Sequence, residues 1–148
     1  QRRYDYSEGL RGRKTGRVER LNKYLLIERI NMDPEMRFYE YAYRLDEADS
    51  PSELLRTFGK LTVELFRLQY KGKVKLSRRL SSQLLKLLYD RRDVKEDLRR
   101  LASILEELKE EALSTKDSST GWFLQFAAVA LQRGLAKFIK YNSVVVNA

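Results

Sequence analysis

Apolar positions recur along most of this chain at intervals of three and four, and no stretch alternates long enough to predict a convincing strand. The segment "NMDPEMRFYEYAYRL" predicts a helix from Pro34: Asp33 can cap it, proline suits the first helical position, and Glu35 favours the positive end of the dipole. In "SPSE", Ser50 and Glu53 form a capping box with Pro51 in the first turn. Leu54, Phe58, Leu61, Leu65 and Leu68 then fall on one buried face, until Gly72 ends the helix. A third helix is predicted over about Leu76 to Tyr89. A fourth starts after Asp93, with Glu96 three residues on, and carries the most regular stripe: Val94, Leu98, Leu101, Leu105, Leu108 and Ala112, at heptad spacing. "STKDSSTG" reads as a polar loop. The last helix, roughly Trp122 to Tyr141, is apolar around most of its circumference, which predicts the central and most buried position. "NSVVVNA" is left as a tail with some strand character.

The pattern predicts an all-α fold. A helical bundle of four to five helices, residues 31–148, follows an extended, partly helical basic N-terminal arm, residues 1–30. No internal repeat is visible. At 148 residues, with 43% apolar and 34% charged side chains, the chain can bury a real core while staying heavily solvated.

Composition removes much chemistry. Cysteine and histidine are absent, which excludes disulfides, thiol nucleophiles, imidazole bases and the commonest zinc sites. The same composition, rich in Arg, Glu and Lys, suits a hot environment. No Gly-x-x-x-x-Gly-Lys phosphate loop occurs. A restriction-like nuclease would need an Asp and an acid-x-Lys pair on adjoining strands; Gln69 to Lys71 resembles only the end of that pattern, in a helical context. The expectation is a protein without catalysis, cofactor, metal or small-molecule substrate. The apolar stretch near Trp122 is interrupted by Gln125, Gln132, Arg133 and Gly134, and predicts no membrane span.

Charge changes the picture most. The net charge is +9, and it is segregated. Residues 1–30 hold nine basic and four acidic side chains, residues 31–57 three and seven, and residues 60–100 thirteen and five. Positive charge thus lies in two blocks, and chains this basic commonly meet a polyanion or an acidic membrane surface.

In the arm, Arg2, Arg3, Arg11, Arg13, Lys14, Arg17, Arg20 and Lys23 supply charge, while Gly9, Gly12 and Gly16 let the backbone approach a ligand closely. Guanidinium forks suit phosphate oxygens, and Tyr4 and Tyr6 can pack on sugars or bases. A solvated tail is the plainer alternative, since Asp5, Glu8 and Glu19 dilute the charge. In the second block, Lys75, Arg78, Arg79, Ser82 and Lys86 fall on one helical face, opposite Leu76, Leu80, Leu84 and Leu87. Lys71 and Lys73 precede this stripe and Arg91 and Arg92 follow it. A stripe without interspersed carboxylates repels itself unless an anion neutralises it.

The aromatic cluster Phe38, Tyr39, Tyr41 and Tyr43 could stack bases, but its acidic surroundings favour packing in a core or subunit interface. Glu106, Glu107, Glu110 and Glu111 form an acidic patch that could meet a basic patch on another copy, head to tail. Val144 to Val146 are a further candidate subunit contact.

A basic arm followed by a compact bundle of about 100 residues without Cys or His resembles the major capsid (nucleocapsid) proteins of filamentous archaeal viruses. The resemblance covers the whole chain in layout and rests on architecture and composition, not on a motif. It implies subunits, often paired as dimers and sometimes with a second homologous subunit, whose arms wrap double-stranded DNA in A-form and whose bundles form the wall of a helical filament. By position, Arg11, Arg13, Lys14, Arg17, Arg20 and Lys23 would line the duplex. The implied location is the virion, assembled in the host cytoplasm; RNA is not excluded as the guest. The alternative is a small helical subunit of a CRISPR effector complex, which is similarly sized and basic but needs less of an arm.

Overall fold

The computed structural model describes residues 33–139, which form five α-helices: α1 Pro34–Glu47, α2 Pro51–Tyr70, α3 Arg78–Tyr89, α4 Val94–Ser114 and α5 Ser118–Ile139. The described residues contain no strand. The arm and the segment after Ile139, with Val144 to Val146, lie outside the described residues.

Local chemistry sets most boundaries. The Ser50 hydroxyl accepts from the Glu53 amide at 3.1 Å, and Asp93 caps α4 in the same way at 2.8 Å, each satisfying one of the orphan donors of a helix start. Helix α2 ends in a paired-bond cap. The Gly72 amide donates to Gln69 and the Lys73 amide to Leu68, both at 2.9 Å. Gly72 sits at φ 78°, where a side chain is strained.

Two boundaries differ from expectation. Helix α3 begins at Arg78 because Ser77 is its cap, accepting from the Leu80 amide at 3.0 Å. Helix α5 begins four residues before Trp122, inside the supposed polar loop. There the Asp117 carboxylate accepts from both the amide and the hydroxyl of Thr120, at 3.0 and 2.6 Å. A polar first turn concealed that start.

Packing places α2 beside α5 at the centre, each burying nine residues. Helix α2 touches all four others and buries Leu54, Phe58, Leu61, Leu65 and Leu68 completely; each such side chain stabilises by about 2 kcal/mol relative to exposure. Helix α5 packs on α4, α1 and α2 but leaves a stripe of Trp122, Gln125, Val129, Gln132 and Arg133 exposed. The heptad of α4 is core except at its start: Leu101, Leu105 and Leu108 are buried and Leu98 and Ala112 pack against them, but Val94 in the first turn is exposed. Phe38 and Tyr41 also enter the core, whereas Tyr43 faces solvent.

The α1–α5 crossing depends on Gly134. A Cβ there would lie 2.7 Å from both the Leu45 carbonyl oxygen and Leu54 Cδ1. Alanine gains about 1 kcal/mol of helix propensity over glycine, but overpacking against an immovable carbonyl costs about 1–3 kcal/mol. Gly134→Ala is therefore expected to destabilise the protein, measured as a lowered Tm. Gly59→Ala is the contrast. Its Cβ meets only the movable Leu88 Cδ2 at 3.3 Å, and the same melt should show no loss.

Candidate nucleic-acid interface

The second basic block divides among the α2–α3 linker, residues 71–77, helix α3, and the α3–α4 loop, which carries Arg91 and Arg92. Although rich in lysine, the linker is held in place. Buried Val74 anchors it. The Leu76 amide donates to Gln69 Oε1 at 2.8 Å, the Lys75 amide to Thr120 Oγ1 at 2.9 Å, and the Ser119 hydroxyl to the Lys73 carbonyl at 2.7 Å. The Ser77 hydroxyl donates to Glu111. Gln69, read as the remnant of a nuclease pattern, is thus a brace. Among the described residues no group of three or more His, Cys, Asp or Glu side chains is placed to hold a metal.

Helix α3 buries Leu80, Leu84 and Leu87 and exposes Arg78, Arg79, Ser82 and Lys86. The amphipathic pattern holds from Arg78 onward, with two corrections: Lys75 and Leu76 precede the helix and belong to the linker.

The eight cations of this block fall into two groups. Lys71, Lys75, Arg78 and Lys86 are exposed and make no ion pair among the described residues. Lys75 has weaker company. The Asp117 carboxyl is held below its ordinary range chiefly by the Thr120 hydroxyl and amide, with a smaller contribution from the Lys75 charge.

The others carry carboxylate partners, contrary to a stripe free of acids. Lys73 pairs with Glu35 at 2.8 Å, Arg79 with Glu107 at 3.1 Å, Arg91 with Asp97 at 3.0 Å, and Arg92 with Asp90 and Glu96 at 2.9 and 3.2 Å. These acids were invisible along the helix because they come from elsewhere in the fold or from the adjoining loop.

Asp97 organises the α3–α4 corner. Its buried carboxylate accepts from Arg91 Nε, the Arg92 amide and Arg100 Nη1 at 3.0, 3.1 and 2.8 Å. Arg100 also donates to the carbonyls of Asp90 and Lys86, closing the end of α3. Burial disfavours the Asp97 charge, but these donors outweigh it and hold the carboxyl below its ordinary value. Glu107 shifts the opposite way. Burial and the neighbouring Glu111 carboxyl push it up, against the pull of Arg79.

Glu106, Glu107, Glu110 and Glu111 therefore do not form one outward acidic patch. Glu107 is buried against Arg79, Glu111 binds Ser77, and Glu106 sits 3.6 Å from Lys109.

The arm residues Arg2, Arg3, Arg11, Arg13, Lys14, Arg17, Arg20 and Lys23 lie outside the described residues. Two further pairs of exposed cations escaped the sequence reading: Arg56 with Lys60 on α2, and Lys95 with Arg99 on α4. Their signal was i,i+4 spacing on exposed faces, diluted by neighbouring acids. Among the described residues, no helix is long and apolar enough to cross a membrane.

No family model matches the chain, and no curated protein or solved structure matches it.

Asp97→Asn should cost about 2–3 kcal/mol at neutral pH, less than a fully buried pair because Arg91 is half exposed. The sign follows from the lowered carboxyl. Asp97 stabilises the fold fully above the ordinary value of 3.8, and that contribution is lost as pH falls through the lower folded value. Denaturant melts across acid pH should show a flatter acid limb in the variant.

Proposed function

We propose that the protein is a structural nucleic-acid-packaging subunit. It coats double-stranded DNA through sequence-independent phosphate contacts and assembles helically with copies of itself, in the manner of the filamentous archaeal virus capsid proteins its layout resembles. In that role it resides in the virion, and the enclosed duplex is held in A-form.

The observation that supports this most is the set of exposed cations without ion pairs among the described residues, Lys71, Lys75, Arg78 and Lys86, on a braced linker and its adjoining helix. Like charges fixed close together repel, and a polyanion relieves the repulsion while releasing its own counterions. Phosphates can also draw Arg92 from its solvent-exposed partners, because surface ion pairs are worth about 0–1 kcal/mol. Arg79 and Arg91 are different. They neutralise the buried carboxylates of Glu107 and Asp97, so their first duty is to the fold. The arm supplies the remaining contacts in this proposal, through eight cations within residues 1–24.

Affinity for mixed-sequence duplex should fall steeply between about 50 and 200 mM salt, with a log–log slope of about −0.9 per phosphate contacted. Changing Lys71, Lys75, Arg78 and Lys86 together to Gln should reduce that slope by about 3 to 4, whereas Arg91→Gln should chiefly lower stability. A flat salt response would overturn the proposal. On long duplex, electron microscopy should show continuous filaments, lost on deletion of residues 1–24. Discrete particles that form only with guide RNA and partner proteins would instead favour the effector-subunit alternative.

A further inference from the structure

Two buried carboxylates of α4 are each neutralised by an arginine of the basic block, and they are held differently. Asp97 keeps its charge against burial because Arg91, the Arg92 amide and Arg100 converge on it. Among the described residues Glu107 has a single cationic partner, Arg79 Nε at 3.1 Å. That arginine side chain is 75% exposed, whereas the carboxylate it meets is 10% exposed. In place of further donors, Glu107 has a second carboxyl beside it, that of Glu111 one turn along α4. Glu111 in turn accepts from the Ser77 hydroxyl at the start of α3. These side chains line a polar cleft of about 480 Å³ together with Lys75 and Glu110, which gives solvent protons a path to the pair. Among the described residues, α2 lends the cleft nothing and α5 lends only Thr120 and Leu124, neither of them charged.

We infer that Glu107 and Arg79 form a proton-controlled latch on the basic face: a proton taken up by Glu107 releases Arg79 from the bundle to a phosphate beside Arg78. Burial penalises only the charged form of a carboxyl, so a neutral Glu107 no longer needs a cation. Burial and Glu111 both favour the proton, and Arg79 opposes it. A proton bound here is shared by two adjacent carboxyls. A phosphate that draws Arg79 away removes the opposing charge, so phosphate binding and proton uptake reinforce each other by linkage. The released guanidinium joins a face where Arg78 is already exposed. Arg91 has no such release, because its three donors keep Asp97 ionised below the ordinary carboxyl range. The chain has no histidine, so no imidazole supplies a competing switch near neutral pH.

This inference rests on the phosphate contacts of the proposed function and adds a pH control to them. From about pH 8 to about pH 5, the log–log salt slope for a short mixed-sequence duplex should steepen by about 0.9, one further phosphate. Glu107→Gln, neutral throughout, should show the steeper slope at both ends of that range, and Arg79→Gln the shallower one. Arg78→Gln should lower the slope at both ends and keep the step between them. A wild-type chain that binds duplex without the step, or a step that survives in Glu107→Gln or Arg79→Gln, would overturn the latch. A titration of the full chain by NMR, without nucleic acid, keeps the two ideas apart. The Glu107 carboxyl should take up its proton above the exposed glutamates, the Arg79 Nε resonance should move in the same step, and Glu111→Gln should carry both to lower pH. An Arg79 that does not move with Glu107 sinks the latch whatever the protein does with DNA. The concerted step in a chain that binds no duplex upholds release of Arg79 by the proton and sinks the packaging function.

Discussion

Lysines 71, 73 and 75 project from a backbone bound on several sides, and the arrangement of the bundle's basic surface follows from that fixation. Gln69 takes the Leu76 amide, Thr120 takes the Lys75 amide, and Ser119 holds the Lys73 carbonyl. Without those bonds a glycine-containing segment with three like charges would be extended by its own repulsion. With them, the start of α5 and the end of α2 dictate where α3 begins, and Ser77 caps α3 while binding Glu111 of α4. Four helices are thereby referenced to one short linker. The polar bonds are individually modest, about 1 kcal/mol each, but they act on a segment that buries little apolar surface beyond Val74.

The same fold sorts its cations by the company they keep. Where a carboxylate is buried, as at Asp97 or Glu107, its arginine partner prevents an uncompensated charge in the interior, and removing it would be expensive. Where both partners are solvated, as in Arg44 with Glu40, the attraction is small and salt-sensitive. The cations left over on the linker and α3 have no such obligation among the described residues. This difference in desolvation, more than the number of lysines and arginines, separates groups that hold the bundle together from groups free to meet an external anion.

The asymmetry between α1 and the basic block has a counterpart in the aromatic side chains. Phe38 and Phe123 meet edge-on at 5.2 Å inside the core, and Phe126 carries that packing outward to Trp122 and Tyr43. One aromatic cluster thus serves two environments, because residues one turn apart along α1 and α5 pass from the interior to the surface.

How much of this was legible in the sequence depends on range. Helix starts at Ser50 and Asp93 were plain, since a cap joins residues three apart and nothing distant competes with it. The stop at Gly72 was equally plain, and so was the all-α class, because apolar spacing reports one helix face at a time. Asp117 was missed although its cap is local, hidden in a run of polar residues that a loop would also contain. Other features could not be read along the chain. That α2 shares the centre with α5, that Lys73 meets a glutamate 38 residues away, and that Arg79 is claimed by Glu107 all depend on which faces are brought together. Sequence alone thus determined the helices, their caps and the segregation of charge, which arise from contacts within a turn or two. Only the tertiary structure decided which charges remain available, because an ion pair between helices requires packing to close a long stretch of intervening chain.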